Sequence, residues 1–481
     1  MDAVANYYAG NLLNRLSYLR TSPAFLASAL SSPKARFILF SKLSPLVLPA
    51  ASDGSRSLHT VSWDDVKQEI GEDAAEVLRG SDGKDEAALG EVHSFYKVDT
   101  KALTSAEKRG LFISQPALVF LGVDERSAPL AAKSLPLSKP TDASTLETHS
   151  PFGIPYWALD VSSMEQLQKK VLLDGGGEFA DLRAGMSTIS PEQASLAAQG
   201  RALVDWNDRN KVRLPSAYSS FYLRCDDSSD LASKFCVACS RPLRSVWGGW
   251  KRVCAASQDS QDGLPPCLSK KGVHNYNYPR TDPVIIMAIL SPDRESILLG
   301  RQRVWPKLFY SALAGFIESG ETLEEAARRE VFEEAGIVVG DVYYHSSQPW
   351  PYPSSLMLGV ICVAKPDQTI RLDLDNELED ARYFSRQEVL AVLNGKAKAW
   401  SKEDVKSFEP VGEHQEPSNV HLDPDTLIGQ IWFGASYAFP NFVIDWKPCA
   451  DKHAKLTRRT TIAYTLINAW ATNSYLSDTT E

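Results

Sequence analysis

The stretch GFIESGETLEEAARREVFEEAGI, Gly315 to Ile337, carries seven glutamates and two arginines in one short segment. From Thr322 onward it holds strong helix formers with no internal proline or glycine, and Gly336 stands where a left-handed C-cap ends a helix. Glu330, Glu333 and Glu334 lie at i, i+3 and i+4, so their carboxylates share one helix face, while Leu323, Ala327 and Val331 form a separate apolar stripe for docking. Like charges at that spacing repel, and Arg329 alone is too little for three carboxylates, so the face calls for a further cation. Hard ions such as Mg2+ or Mn2+ take oxygen ligands and share them with substrate phosphates. A glutamate-rich helix is more often a solvated face. Here Gly315 and Gly320 permit tight backbone geometry just before the helix, and Leu313-Ala314-Gly315 offers a strand edge for phosphates, which favours the metal reading.

The rest of the chain sets the context. At 481 residues two or three domains are expected. No apolar run reaches the roughly 20 residues of a membrane-spanning helix, and PVIIMAIL and LMLGVICVA read as buried strands. A formal net charge of −9 opposes a broad basic surface for nucleic acid. Seven cysteines without a secretory signal pattern point to a reducing compartment in which clustered thiols bind metal. Residues 3–52 hold no acidic side chain and several basic ones, a composition like that of a transit peptide.

Along the chain, residues 1–205 alternate apolar runs with polar loops and end in a helical segment after Pro191. Residues 206–274 turn to cysteine, glycine and arginine with too few apolar residues for a core, so a metal staple is expected. Residues 275–481 bracket the acidic helix with strand-like runs, a mixed α/β pattern, with a polar insertion near 401–425 and a last helix containing TIAYTLINAW.

Gly315, Glu321, Arg329-Glu330, Val331, Glu333-Glu334, Gly336 and Ile337 match every fixed position of the Nudix box, Gly-x5-Glu-x7-Arg-Glu-U-x-Glu-Glu-x-Gly-U, with U a bulky aliphatic residue. The chain thus resembles the Nudix hydrolases, which use divalent cations to cleave a nucleoside diphosphate linked to another group. The resemblance implies Glu330 and Glu334 as metal ligands, Glu333 close by, the Ala314 carbonyl contributing, and Arg329 as an orienting partner. Downstream, Glu377 matches an acidic ligand, with its neighbour Glu379 the competing match.

Eleven residues beyond the box, Gln348-Pro349-Trp350-Pro351-Tyr352-Pro353-Ser354-Ser355 makes a stiff extended segment able to present flat rings. It resembles the SQPWPFPxS motif of the NADH pyrophosphatase subfamily, with Tyr352 in place of Phe. That resemblance also implies Tyr278 and Phe316 as rings on the nicotinamide side and Ala463 lining the pocket. The same subfamily carries a four-cysteine zinc ribbon, matched by Cys236, Cys239, Cys254 and Cys267, with the second spacing stretched by ASQDSQDGLPP. Residues 211–233 form a further insertion, expected to be disordered. The opening NYYAGNLLNRLSYLR resembles the N-terminal domain of fungal and animal members, which favours a folded beginning over a cleaved leader.

These resemblances imply an α/β/α Nudix sandwich with a mixed sheet, preceded by a zinc ribbon and a mainly-β α+β domain. They imply a Mg2+- or Mn2+-dependent enzyme with structural Zn2+, usually a homodimer, that splits NADH, and NAD+ less efficiently, into nicotinamide mononucleotide and AMP. A second enzymatic reading is removal of NAD caps from RNA, since the scissile bond is the same. A rival of another class is a binding module or pseudoenzyme acting through its ribbon. The expected location is cytoplasmic or peroxisomal, with no membrane partner; Thr479-Thr480-Glu481 is not a peroxisomal Ser-Lys-Leu-type address.

Overall fold

The computed structural model describes residues 6–71, 117–127, 153–173, 176–182, 188–209, 236, 243–254, 267, 278–303, 305, 310–394 and 461–475. Cys239, the 211–233 insertion and the 401–425 segment lie outside these residues. The chain divides into two compact units, one of residues 10–280 with 351–353, the other of residues 1–9, 281–350 and 354–481. Cys236, Cys254 and Cys267 fall in the first of these units, and residues 1–9 in the second.

In the first unit, in chain order, are α1 (Pro23–Leu30), β1 (Arg36–Ser41), β2 (Ser44–Val47), β3 (Thr60–Val61), α2 (Trp63–Ile70), β4 (Leu118–Asp124), β5 (Ile154–Asp160), α3 (Glu165–Leu173), β6 (Glu178–Phe179) and α4 (Pro191–Arg209). The strands form one mixed sheet in the order β4-β5-β1-β2-β6, with β3 beside β1 and only the β1–β5 pair parallel. Phe37, Ile38, Leu39 and Phe40 of β1 are all fully buried, as befits a strand covered on both faces. Phe25, Phe37, Phe120 and Trp157 meet in the core on one face. α4 approaches β1 so closely that a Cβ at Gly200 would lie 2.8 Å from the Phe40 ring. A hairpin of β7 (Leu243–Val246) and β8 (Lys251–Cys254) completes the described part of this unit.

The second unit contains β9 (Asp282–Leu290), β10 (Ser296–Gln302), β11 (Leu313–Phe316), α5 (Leu323–Ala335), β12 (Val339–Trp350), β13 (Ser355–Ala364), β14 (Leu378–Ser385), α6 (Arg386–Leu393) and α7 (Ile462–Ala471). Its mixed sheet runs β12-β13-β9-β10-β14, with β11 on β9 and only β9–β13 parallel. Successive strand residues face opposite sides. Ile285, Met287 and Ile289 of β9, with Val360 and Cys362 of β13, form the face that packs on Ala326, Ala327, Val331 and Ala335 of α5. The intervening Gly359 of β13 faces α7, where a Cβ would lie 2.8 Å from Ile462. The two helices therefore cover opposite faces, which makes the α/β/α sandwich expected from the sequence. Among the described residues no helix is long and apolar enough to cross a membrane.

Candidate active site

The α5 helix begins where its sequence says it should. Thr322 accepts from the Glu325 amide at 3.2 Å and Glu325 returns a bond from the Thr322 amide at 2.8 Å, a capping box. Gly336 ends the helix in the left-handed region with φ 67°.

The four box residues on this helix are not equivalent. Arg329 donates to Glu321 through Nε at 2.6 Å and Nη2 at 2.7 Å, to Glu330 at 2.8 Å, to Glu333 at 3.0 Å and to the Phe316 carbonyl at 2.9 Å. One guanidinium thus serves three carboxylates, more than the sequence reading allowed it, and locks the helix to the loop before it. Its bonds hold Glu321 down at about 2 and push its own pKa upward. Glu333 stays on the open side, its side chain 49% exposed.

Glu330 packs against the backbone of β11. A Cβ at Gly315 would fall 1.8 Å from the Glu330 carboxyl carbon, so only glycine admits that carboxylate. Burial raises the Glu330 pKa against the lowering pull of Arg329.

Glu334 is the outlier. It is 3% exposed, and its Oε1 has no hydrogen-bond partner among the described residues. Burial first, then the negative charges of Glu377, Glu330 and Asp375, push its pKa well up, while a backbone hydrogen bond from Ala314 pulls the other way. Glu334, Glu377, Ala314, Gln302 and Trp305 line one small cavity. Glu377 is also raised, by burial and then by Asp375. Glu379 instead forms an ion pair with buried Arg301 at 2.8 Å and points elsewhere. Their partners separate the two candidates: Glu377, just before β14, lines the cavity with Glu334, while Glu379 is taken by Arg301.

A buried carboxylate oxygen with no partner costs several kcal/mol unless a cation or proton meets it. The donors here are all oxygens, the set that hard divalent ions take. Glu334, Glu330 and Glu377, with the backbone of Ala314 beside them, fit Mg2+ or Mn2+.

The extended motif after the box is placed differently from a lining surface. Gln348 is fully buried; it donates to the Tyr7 carbonyl at 2.9 Å and accepts from the Ile462 amide at 2.8 Å, so its amide joins three segments of the unit. Asn6 bonds Ser346 and the Ser347 carbonyl at 3.1 and 2.9 Å and accepts from Thr465 at 2.8 Å. Trp350 packs edge-on to Tyr8 at 6.2 Å. Ser355 and Ala463 are buried too, so Gln348, Trp350, Ser355 and Ala463 are all packed inside this chain.

Other predicted residues remain accessible. Phe316 is 46% exposed at the end of β11, next to the glutamates in sequence. In the first unit Tyr278 lies 5.9 Å from Trp247, and Lys251 Nζ sits 4.2 Å from the Trp247 ring. Also in that unit the Arg201 guanidinium covers the Tyr352 ring at 4.5 Å and donates to the Pro351 carbonyl. Pro349, Pro353 and Ser354 are half-buried, and the Tyr352-Pro353 peptide is cis.

Cys236, Cys254 and Cys267 are buried, with their sulfurs all within 4.8 Å of one another. Cys254 ends β8, and the hairpin register sets it opposite Leu243, which among the described residues completes that buried cluster. Cys362, in β13, is an inert core thiol whose pKa burial raises to about 12.

Residues 279–406 match the NUDIX domain family, and residues 34–206 match the NADH pyrophosphatase-like rudimentary NUDIX domain. The chain belongs to the Nudix hydrolases. Within that class it falls in the group of the NAD-capped RNA hydrolases: it is 34% identical to the enzyme of that name from Schizosaccharomyces pombe, across 82% of this chain and 87% of that one. It is 32% identical to the human NAD-capped RNA hydrolase NUDT12, across 83% and 71%. The human mitochondrial NAD(P)H pyrophosphatase NUDT13 is 35% identical over a shorter span, 46% and 51%.

Proposed function

We infer that the protein hydrolyses the pyrophosphate bond of NADH and NAD+, releasing nicotinamide mononucleotide, reduced or oxidised, and AMP, and that it removes NAD caps from RNA by cleaving the same bond. The observation that carries this is the unpaired, buried Glu334 carboxylate facing Glu377 beside an Arg329-locked Glu330. A scaffold or pseudoenzyme has no use for so costly an arrangement.

Glu330, Glu334 and Glu377 would hold Mg2+ or Mn2+, which when bound supplies neutralisation of the anionic pyrophosphate and Lewis acidity at phosphorus. Arg329 fixes the Glu330 carboxylate and the Phe316 carbonyl, so the ligand oxygens are set before substrate arrives. Gly315 keeps the β11 backbone bare beside Glu330. The exposed Phe316 ring, at the end of that strand, offers a flat apolar face for a base or nicotinamide.

The finer features are proposals of the same reading. Cys236, Cys254 and Cys267, with Cys239 as fourth ligand, hold a structural Zn2+; tetrahedral Zn–S bonds of about 2.3 Å place sulfurs roughly 3.8 Å apart, and Cys236 and Cys267 stand 3.5 Å apart. The enzyme acts as a homodimer in the cytosol or peroxisome. Phe316 is the exposed ring available to substrate in the unit that carries the glutamates.

The test compares AMP release from NADH and from an NAD-capped RNA, with Mg2+ or Mn2+. Metal-dependent release from both supports the reading. Turnover of neither by folded, zinc-loaded protein would remove it.

A further inference from the structure

The cavity beside Glu334 holds a second orphaned atom. Gln302, the last residue of β10, is 6% exposed. Its Nε2 donates to Glu377 Oε1 at 2.7 Å, while its Oε1 is buried with no hydrogen-bond partner among the described residues. The bond to a carboxylate fixes which end of the amide is nitrogen, because a carboxylate can only accept. The carbonyl end therefore remains for a donor that the described residues do not supply.

The backbone shows that this placement is built. The β10–β14 ladder shifts register between Arg301 and Gln302. Such a bulge re-aims a side chain at a sheet edge. Arg301 takes Glu379, while Gln302 takes Glu377 and lines the cavity shared with Glu334.

What the Oε1 atom can accept is limited by chemistry. Ionised phosphate oxygens carry no proton and are excluded. An O–H group fits: water in the shell of a divalent cation, or a sugar hydroxyl. The neighbours Glu334 and Glu377 are oxygen donors, and Mg2+ keeps several waters when bound by few carboxylates. We propose that Gln302 is a positioning residue that fixes Glu377 through Nε2 and accepts, through Oε1, a hydrogen bond from the water shell of the divalent cation. This rests on the reading that the glutamates hold such a cation.

The experiment titrates Mn2+ into the full chain without nucleotide, following water-proton relaxation, for wild type, Gln302→Met and Glu334→Gln. Steady-state kcat and KM for NADH are then measured at saturating Mn2+. Gln302→Met keeps the volume and removes both polar ends. Its Mn2+ dissociation constant is expected to rise roughly ten-fold or more, in the range seen when groups that orient metal ligands are lost. Its metal-free melting temperature and KM for NADH are expected to stay near wild type. Unchanged Mn2+ affinity with a raised KM would assign Oε1 to a sugar hydroxyl, and unchanged values of both would make Gln302 purely structural; either result overturns the proposal. Should Gln302→Met fail to fold, Gln302→Asn, which withdraws the amide by one methylene, carries the same expectation. If wild type and Glu334→Gln bind Mn2+ alike, the metal reading itself falls, and the proposal with it.

Discussion

The carboxylate site and the thiol site solve the same problem, gathering like-charged or reactive ligands, in opposite ways. The glutamates ride on a regular helix whose ends are capped and whose apolar face packs on a sheet. Arg329 pairs with Glu321, Glu330 and Glu333 and leaves Glu334 without a cation. The thiols come from three separated points of the chain, 236, 254 and 267, and share a cluster with a single buried leucine. The first site is a finished fold that a cation completes chemically. The second, among the described residues, has little apolar packing, and the zinc proposed for it would supply the staple.

The comparison breaks first at the thiols. Cys254→Ser is expected to abolish stoichiometric zinc and unfold the hairpin region, since structural zinc contributes about 10–16 kcal/mol in small zinc folds; metal analysis and circular dichroism check this. Next, Glu334→Gln is expected to lower kcat by about 10³-fold or more, comparable to removing a principal electrostatic group, with little loss of fold. Gly315→Ala displaces the Glu330 carboxylate and is expected to cost roughly 10–100-fold in kcat/KM through the misplaced ligand, read against an unchanged circular dichroism spectrum.

The smallest effect is on stability and has a definite sign. Burial, helped by Glu377 and Glu330, raises the Glu334 pKa above the ordinary 4.5, so the folded chain holds that proton more tightly than the unfolded one. The stability from this group is full below the unfolded value and lost as pH rises through the folded one. Without metal, Glu334→Gln is therefore expected to melt a few degrees above wild type at pH 8, with the gap closing toward pH 4. A gap independent of pH would show that Glu334 is not the titrating group.

The acidic helix was legible in the sequence because its signals are local: Thr322 and Glu325 for the cap, Gly336 for the stop, Ala327 and Val331 for the docking face. The buried strands were legible as unbroken apolar runs. Which glutamate would be left without a partner was not, because that depends on the reach of Arg329 and on β11 passing under Glu330. Glu377 and Glu379 could not be separated from spacing, since they stand two residues apart at the start of β14 and are told apart by their partners, Gln302 and Arg301, brought from another strand. Gln302 was missed altogether. Its one signal was a polar Arg-Gln pair closing the apolar run SILLG, and without the register shift nothing marks which acid it meets. Gln348 illustrates the reverse: a motif residue assigned to substrate whose amide is consumed by Tyr7 and Ile462, segments more than a hundred residues away on either side.

The most direct measurement is release of AMP and reduced nicotinamide mononucleotide from NADH by wild type and Glu334→Gln, with Mg2+ or Mn2+ and after chelation. The account predicts cation-dependent cleavage by wild type and near-complete loss in a Glu334→Gln protein that still folds. Full activity in that variant, or cleavage that survives chelation, would contradict it.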